Sequence, residues 1–136
     1  MPSFRFGAII LGAGASSRMG QPKLLLPWGP TSIIGHLLSV WTAAGAAQIV
    51  VVCAPPPHPL HAELDRLGFP SGSRIVNPSP ELGMFSSIQT AARWTGWDAT
   101  LSHLAFALGD QPQITPRRIA TRDLWRRELD GSGNFN

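Results

Sequence analysis

Residues 9–28 read IILGAGASSRMGQPKLLLPW, and the fold turns on how this stretch is read. An apolar run ends in a glycine-rich turn, and the turn leads to Arg18, Gly20, Pro22 and Lys23. A loop of this composition can wrap a polyphosphate, because glycines let backbone N–H groups come close and two cations balance the charge. It is not a Walker A loop, which needs Gly, four residues and then Gly-Lys-Ser/Thr. Five residues separate Gly14 from Gly20, and Lys23 follows only after Gln21 and Pro22. Nor does it complete the dinucleotide fingerprint G-x-G-x-x-G. Gly12 and Gly14 supply its first half, but Ser17 stands where the third glycine belongs.

On either side of this loop, strands and helices alternate. Residues 4–11 form a short apolar run ending in glycine, the pattern of a buried strand feeding a loop. Thr31 or Ser32 can cap a helix reaching about residue 44, with Ile33, Ile34, Leu37, Leu38 and Trp41 on one apolar face and Gly45 as its stop. Residues 48–53 are a second buried strand, rich in valine; a proline cluster follows, and then a short amphipathic helix over 60–67. Residues 74–76 are a brief third strand, and 79–94 give a loop and a helix with Leu82, Phe85, Ile88 and Ala92 as its apolar positions. Residues 103–108 are a fourth strand, delivering Gly109 and Asp110 at its carboxyl end. This alternation predicts an α/β fold: a Rossmann-like, mainly parallel sheet covered by helices on both faces. Ligands of such sheets bind beyond the carboxyl ends of the strands, where both the 12–23 loop and Asp110 fall.

The bulk properties agree. A chain of 136 residues can bury a core of its own, and its charged fraction of 14% is low. Fourteen glycines and 13 prolines favour a loop-rich α/β domain over a helical bundle. The formal charge of +3 suits a triphosphate ligand but is too small and scattered to argue for nucleic acid. Cys53 is the only cysteine, so no intramolecular disulfide can form, and its place in IVVVC predicts a buried strand residue. The apolar core after Arg5 is too short and too interrupted by glycine for a signal peptide, and no run approaches the roughly 18 residues of a membrane span. The expectation is a cytoplasmic protein with no membrane and no nucleic-acid partner.

Residues 11–28, LGAGASSRMGQPKLLLPW, resemble the opening signature of the MobA-like nucleotidyltransferases. They are closer to the molybdenum-cofactor cytidylyltransferase branch, in which a small-residue turn, Ser-x-Arg-Met-Gly and Pro-Lys-Leu-Leu recur. Residues 77–88, NPSPELGMFSSI, resemble the family's Asn-Pro…Gly-Met-x-x-Ser-Leu segment, and 108–112, LGDQP, its metal-binding Gly-Asp-Gln-Pro. The resemblance implies the nucleotide-diphospho-sugar transferase type of fold. It also implies transfer of a nucleoside monophosphate from an NTP, CTP by this branch, to the phosphate of molybdopterin cofactor, with release of pyrophosphate. A guanylyltransferase or sugar-phosphate nucleotidyltransferase built on the same loop is the alternative within enzymes; an inactive nucleotide-binding remnant is the alternative outside them.

Site residues follow in the same way. The resemblance implies nucleotide contacts at Leu11, Gly12, Ala13, Gly14, Ser16, Ser17, Arg18 and Lys23, with Arg18 and Lys23 acting in catalysis; the plainer reading of the two cations is a solvated loop. Arg18 offers a planar fork suited to phosphate oxygens, and Lys23 a compact charge that can follow the leaving pyrophosphate. Asp110 is the expected Mg2+ ligand and third catalytic residue, since magnesium takes one or two carboxylates and keeps several waters; Asp-Gln-Pro also makes an acceptable turn by itself. Asn77, Gly83 and Ser87 match family positions near base and ribose, against a plainer reading as a helix start with local caps. His58 and His61 are expected at the surface, His36 and His103 in or beside apolar elements, Trp28 under the loop and Trp41 in the core.

The likeness breaks after Ile114. Residues 114–130, ITPRRIATRDLWRRELD, are expected to form one helix, so that 1–115 is the N-terminal portion of a transferase domain and 116–136 a divergent helical tail. The fold is then expected to be C-terminally truncated, with a partner or second copy completing the sheet and the fourth strand a sticky edge if no later strand pairs with it.

Overall fold

The computed structural model describes residues 5–13, 23–108 and 118–121. Its centre is a five-stranded sheet. β1 (Phe6–Leu11) lies between β4 (Gln48–Cys53) and β6 (His103–Leu108), with β5 (Arg74–Val76) outside β4 and β7 (Arg118–Thr121) outside β6. The first four are mutually parallel, and β7 alone runs antiparallel. A two-stranded hairpin, β2 (Pro27–Trp28) with β3 (Thr31–Ser32), lies outside this sheet.

Alternation along each strand divides the core in two, as side chains of period two must. Ala8, Ile10, Val51, Cys53 and Ala105 face α1 (Ile33–Ala43) and α2 (Leu60–Arg66), meeting Ile34, Leu37, Trp41, Leu60 and Leu64. Ile9, Val50, Val52, Leu104 and Phe106 face the other way, toward Ile88 and Ala91 of α3 (Met84–Ala92) and the indole of Trp97. Both faces are therefore covered, and the near-unbroken Val and Ile runs of β1 and β4 are what a doubly buried parallel strand requires. Trp97 reaches under the sheet so closely that a Cβ on Gly7 would lie 2.5 Å from its ring, and its Nε1 donates to the Ala91 carbonyl at 2.7 Å. Trp94 meets it edge to face at 5.3 Å.

Local chemistry sets the boundaries. Ser32 is the N-cap of α1, accepting the Gly35 N–H at 3.3 Å, and its hydroxyl donates at 2.6 Å to Glu63 Oε2 on α2. Arg66 donates to both oxygens of that carboxylate, Nε at 2.8 Å and Nη2 at 2.6 Å. Gly45, at φ 94°, takes the left-handed turn just past the end of α1.

Several expectations are corrected. Residues 118–121 form a strand, not part of a helix; β6 therefore has a partner on that flank and is not an open edge. The remainder of the expected tail helix lies outside the described residues. Leu82 is 71% exposed rather than inward. Trp28 is exposed on its hairpin, its ring 5.0 Å from that of His36, rather than packed under the loop. His58 and His61 are half-buried: His58 Nδ1 accepts the Leu60 N–H at 3.1 Å, and His61 Nε2 lies 2.8 Å from the Ala54 carbonyl oxygen. Among the described residues no helix is long and apolar enough to cross a membrane.

Candidate functional site

The strand order makes a topological switch point. From β1 the chain moves through β4 to β5 on one side, then crosses by α3 to β6 on the other side of β1. The order reverses between β1 and β6, and open α/β sheets bind ligands beyond the carboxyl ends at such a switch point. Leu11 and Leu108, the last residues of β1 and β6, are register partners there.

Gly12 shows how the loop is seated. Its N–H donates to the Val52 carbonyl at 2.8 Å. A Cβ on it would stand 2.6 Å from Leu60 Cδ2, 3.1 Å from Leu24 Cδ1 and 3.1 Å from the Val52 oxygen. The glycine is thus required by close approach, without a left-handed φ. Leu24, 5% exposed, belongs to a 3-10 turn at Lys23–Leu25, so the chain returns from the loop onto the point where it left β1. Lys23, one residue from this anchor, is exposed. Ala13 is buried in the α3-side core and Leu11 half-buried against it, so both contribute packing and backbone to the edge.

A second group lies across β4. The Asn77 N–H donates to the Cys53 carbonyl at 2.9 Å, next in the chain to the carbonyl that holds Gly12. Asn77, Gly83 and Ser87 are brought together through Ser86, a residue the sequence reading did not single out. Asn77 Nδ2 donates to the hydroxyls of Ser86 and Ser87, and Ser86 Oγ donates to the Gly83 carbonyl. Gly83, at φ 98° and ψ 179°, starts α3 with no side-chain cap. A serine three residues past such a glycine is a signal that could have been noticed, since it is placed to bond the glycine's carbonyl.

The Cys53 side chain points to the other face, toward α1 and α2, fully buried, and burial pushes its thiol up to about 11 against the opposing charge of Arg74. Gly14, Ser16, Ser17, Arg18 and Asp110 lie outside the described residues. Among the described residues no group of three His, Cys, Asp or Glu side chains is placed to hold a metal. An exposed lysine beside a packed glycine turn, at the carboxyl edge of a parallel sheet, is suited to an anionic ligand.

Residues 8–127 match the family model of the MobA-like NTP transferase domain. The chain is 33% identical over 128 residues to the bifunctional protein GlmU of Parvibaculum lavamentivorans, a match covering 93% of this chain and 27% of that protein. It is 42% identical over 43 residues to the molybdenum cofactor guanylyltransferase of Xanthomonas euvesicatoria pv. vesicatoria, covering 32% of this chain and 23% of that protein. A solved structure, a nucleotidyl transferase from Methanothermobacter thermautotroptrophicus, matches with a TM-score of 0.65 at 22% identity, over 95% of this chain and 58% of its own. That likeness is one of fold, the nucleotide-diphospho-sugar transferase type. The matched stretches span about a quarter of the curated relatives and less than two thirds of the solved structure.

Proposed function

We propose nucleotidyl transfer from one premise: the chain belongs to the MobA-like NTP transferase family. In this reading a phosphate oxygen of an acceptor attacks the α-phosphorus of an NTP. The bond from that phosphorus to the bridging oxygen breaks, and pyrophosphate leaves with the electron pair. Catalysis rests on positioning and charge rather than on a covalent intermediate. Lys23 and Arg18 offset charge on the triphosphate, and backbone N–H groups of the turn as far as Ser16 approach it, beyond that of Gly12, which the Val52 carbonyl holds. The carboxylate of Asp110 is a hard oxygen donor of the kind Mg2+ takes, and a divalent cation there supplies charge neutralisation on the phosphates when bound.

The observation that best supports this reading is the packing of Leu24 over Gly12 at the end of β1, with the exposed Lys23 next to Leu24 in the chain. CTP as donor and the phosphate of molybdopterin cofactor as acceptor rest on the motif resemblance. GTP is the second reading, favoured by the stretch 42% identical to a molybdenum cofactor guanylyltransferase. A cytoplasmic setting belongs to the same proposal.

Thermal unfolding with and without Mg·CTP and Mg·GTP tests the donor site. A ligand at a hundred times its dissociation constant stabilises by about 2.7 kcal/mol, a clear rise in midpoint. A rise that needs magnesium, followed by pyrophosphate release, supports nucleotidyl transfer, and the nucleotide giving it identifies the donor. Binding with no pyrophosphate release from any acceptor favours the remnant; no rise with either nucleotide overturns the reading.

A further inference from the structure

Asn77 immediately follows β5 and is 2% exposed. Its side chain is spent within the protein: Nδ2 donates to Ser86 Oγ at 2.9 Å and to Ser87 Oγ at 3.0 Å, while Oδ1 accepts the Ser79 N–H at 2.9 Å. A carboxamide has two N–H donors, and both are used. Donating to a nucleotide base would first break one of these buried bonds and leave a hydroxyl without its partner. The bonds also lead somewhere. Ser86 Oγ in turn donates to the Gly83 carbonyl at 2.6 Å, fixing a residue whose φ of 98° only glycine adopts readily. The Ser86 N–H donates to the same carbonyl at 3.1 Å. One amide thereby ties the end of β5 to the 78–83 loop and to the first turn of α3. Its own backbone is pinned to β4 beside the carbonyl that seats Gly12.

We infer that Asn77 is a positioning residue: acting through Ser86, it holds the 79–84 backbone against the nucleotide and does not read the base. This rests on the nucleotidyl-transfer reading above. It separates tightness of binding from choice of base, so the preference between CTP and GTP is set by other groups.

The test compares the unaltered chain with Asn77→Ala, Ser86→Ala and Ser86→Thr in two measurements. The first is amide hydrogen exchange over residues 79–86; the second is calorimetric binding of CTP and of GTP with magnesium, where the variants are folded. Asn77→Ala and Ser86→Ala are expected to speed exchange in this segment and to weaken both nucleotides by a common factor of about ten, the worth of one such bond network. Ser86→Thr, which keeps the hydroxyl, is expected to restore both. Ser86→Ala carries the comparison if Asn77→Ala does not fold. A change in the CTP-to-GTP ratio in Asn77→Ala would overturn the inference, as would unaltered exchange in both alanine variants. If the unaltered chain binds neither nucleotide, the nucleotidyl-transfer reading falls, while exchange over 79–86 still upholds or removes the positioning role.

Discussion

Gly12 and Asn77 hang from neighbouring carbonyls on opposite sides of one strand: the Gly12 N–H donates to Val52 at 2.8 Å, and the Asn77 N–H to Cys53 at 2.9 Å. Carbonyls in a parallel strand point alternately to its two neighbours, so the last two residues of β4 reach both loops at once. Gly12, just past β1, and Asn77, just past β5, are therefore both anchored on β4. β4 is buried from Val50 to Cys53.

Gly12→Ala tests that seating. Its Cβ would meet Leu60, Leu24 and the Val52 oxygen, and the last of these is backbone and cannot swing aside. Overpacking of this kind costs about 1–3 kcal/mol. The expected result is a midpoint lowered by several degrees together with loss of nucleotide binding, measured by thermal unfolding with and without Mg·CTP. Unchanged stability would show that Leu24 and Leu60 are not packed on Gly12.

Glu63 makes stability depend on acid. Hydrogen bonds from Arg66 above all, then from Ser32, outweigh partial burial and hold its carboxyl at about 2 against an ordinary 4.5. A group whose pKa is depressed by folding stabilises the native state above its unfolded pKa and loses that contribution as pH falls through the folded one. Glu63→Gln is therefore expected to melt a few degrees lower than the unaltered chain at pH 7. The gap should close as pH drops from about 4.5 toward about 2. A gap that stays constant with pH would mean the carboxylate charge contributes nothing.

Cys53 is expected to be inert. With its thiol pushed up to about 11, roughly a thousandth is thiolate at pH 8, and the side chain is wholly covered. A disulfide reagent at pH 8 should label the native chain only as fast as it unfolds, and completely in denaturant. Rapid native labelling would place the β4 terminus open to solvent.

β1 and β4 were legible because doubly buried strands are written as apolar runs, and the edge strand β5 as a brief one around buried Ile75. Gln48–Cys53, Arg74–Val76 and His103–Leu108 have the bounds their sequences predict, and α1 begins after the Ser32 cap. The β2–β3 hairpin went unseen, since two-residue strands carry no periodicity and only Gly29-Pro30 hints at the turn. Arg118–Thr121 has too few residues to distinguish strand from helix by pattern, and pairing with β6 decides it. At the site, glycine at position 12 was legible, but its reason was not: the sequence suggests room for a ligand, whereas Leu60 and Leu24 fill that space from below. Asn77 was legible as a polar residue in a motif. That its amide turns inward depends on Ser86 and Ser87 coming round on α3, a tertiary fact.

Lys23→Ala separates charge from fold. The side chain is exposed while Leu24 beside it carries the packing, so the variant should fold, with its unliganded midpoint lowered by no more than an exposed polar contact is worth, about 1 kcal/mol. Nucleotide affinity should fall, because a hydrogen bond to a charged phosphate is worth about 1.5–3 kcal/mol, or roughly ten- to a hundredfold in dissociation constant. Pyrophosphate release should fall further still, since charge grows on the leaving group in the transition state. Titration of Mg·CTP and Mg·GTP into both proteins, followed by single-turnover release of pyrophosphate, reads the two losses separately. Equal binding and equal turnover in Lys23→Ala would remove this lysine from the site, leaving Leu24 closed over Gly12 for packing alone.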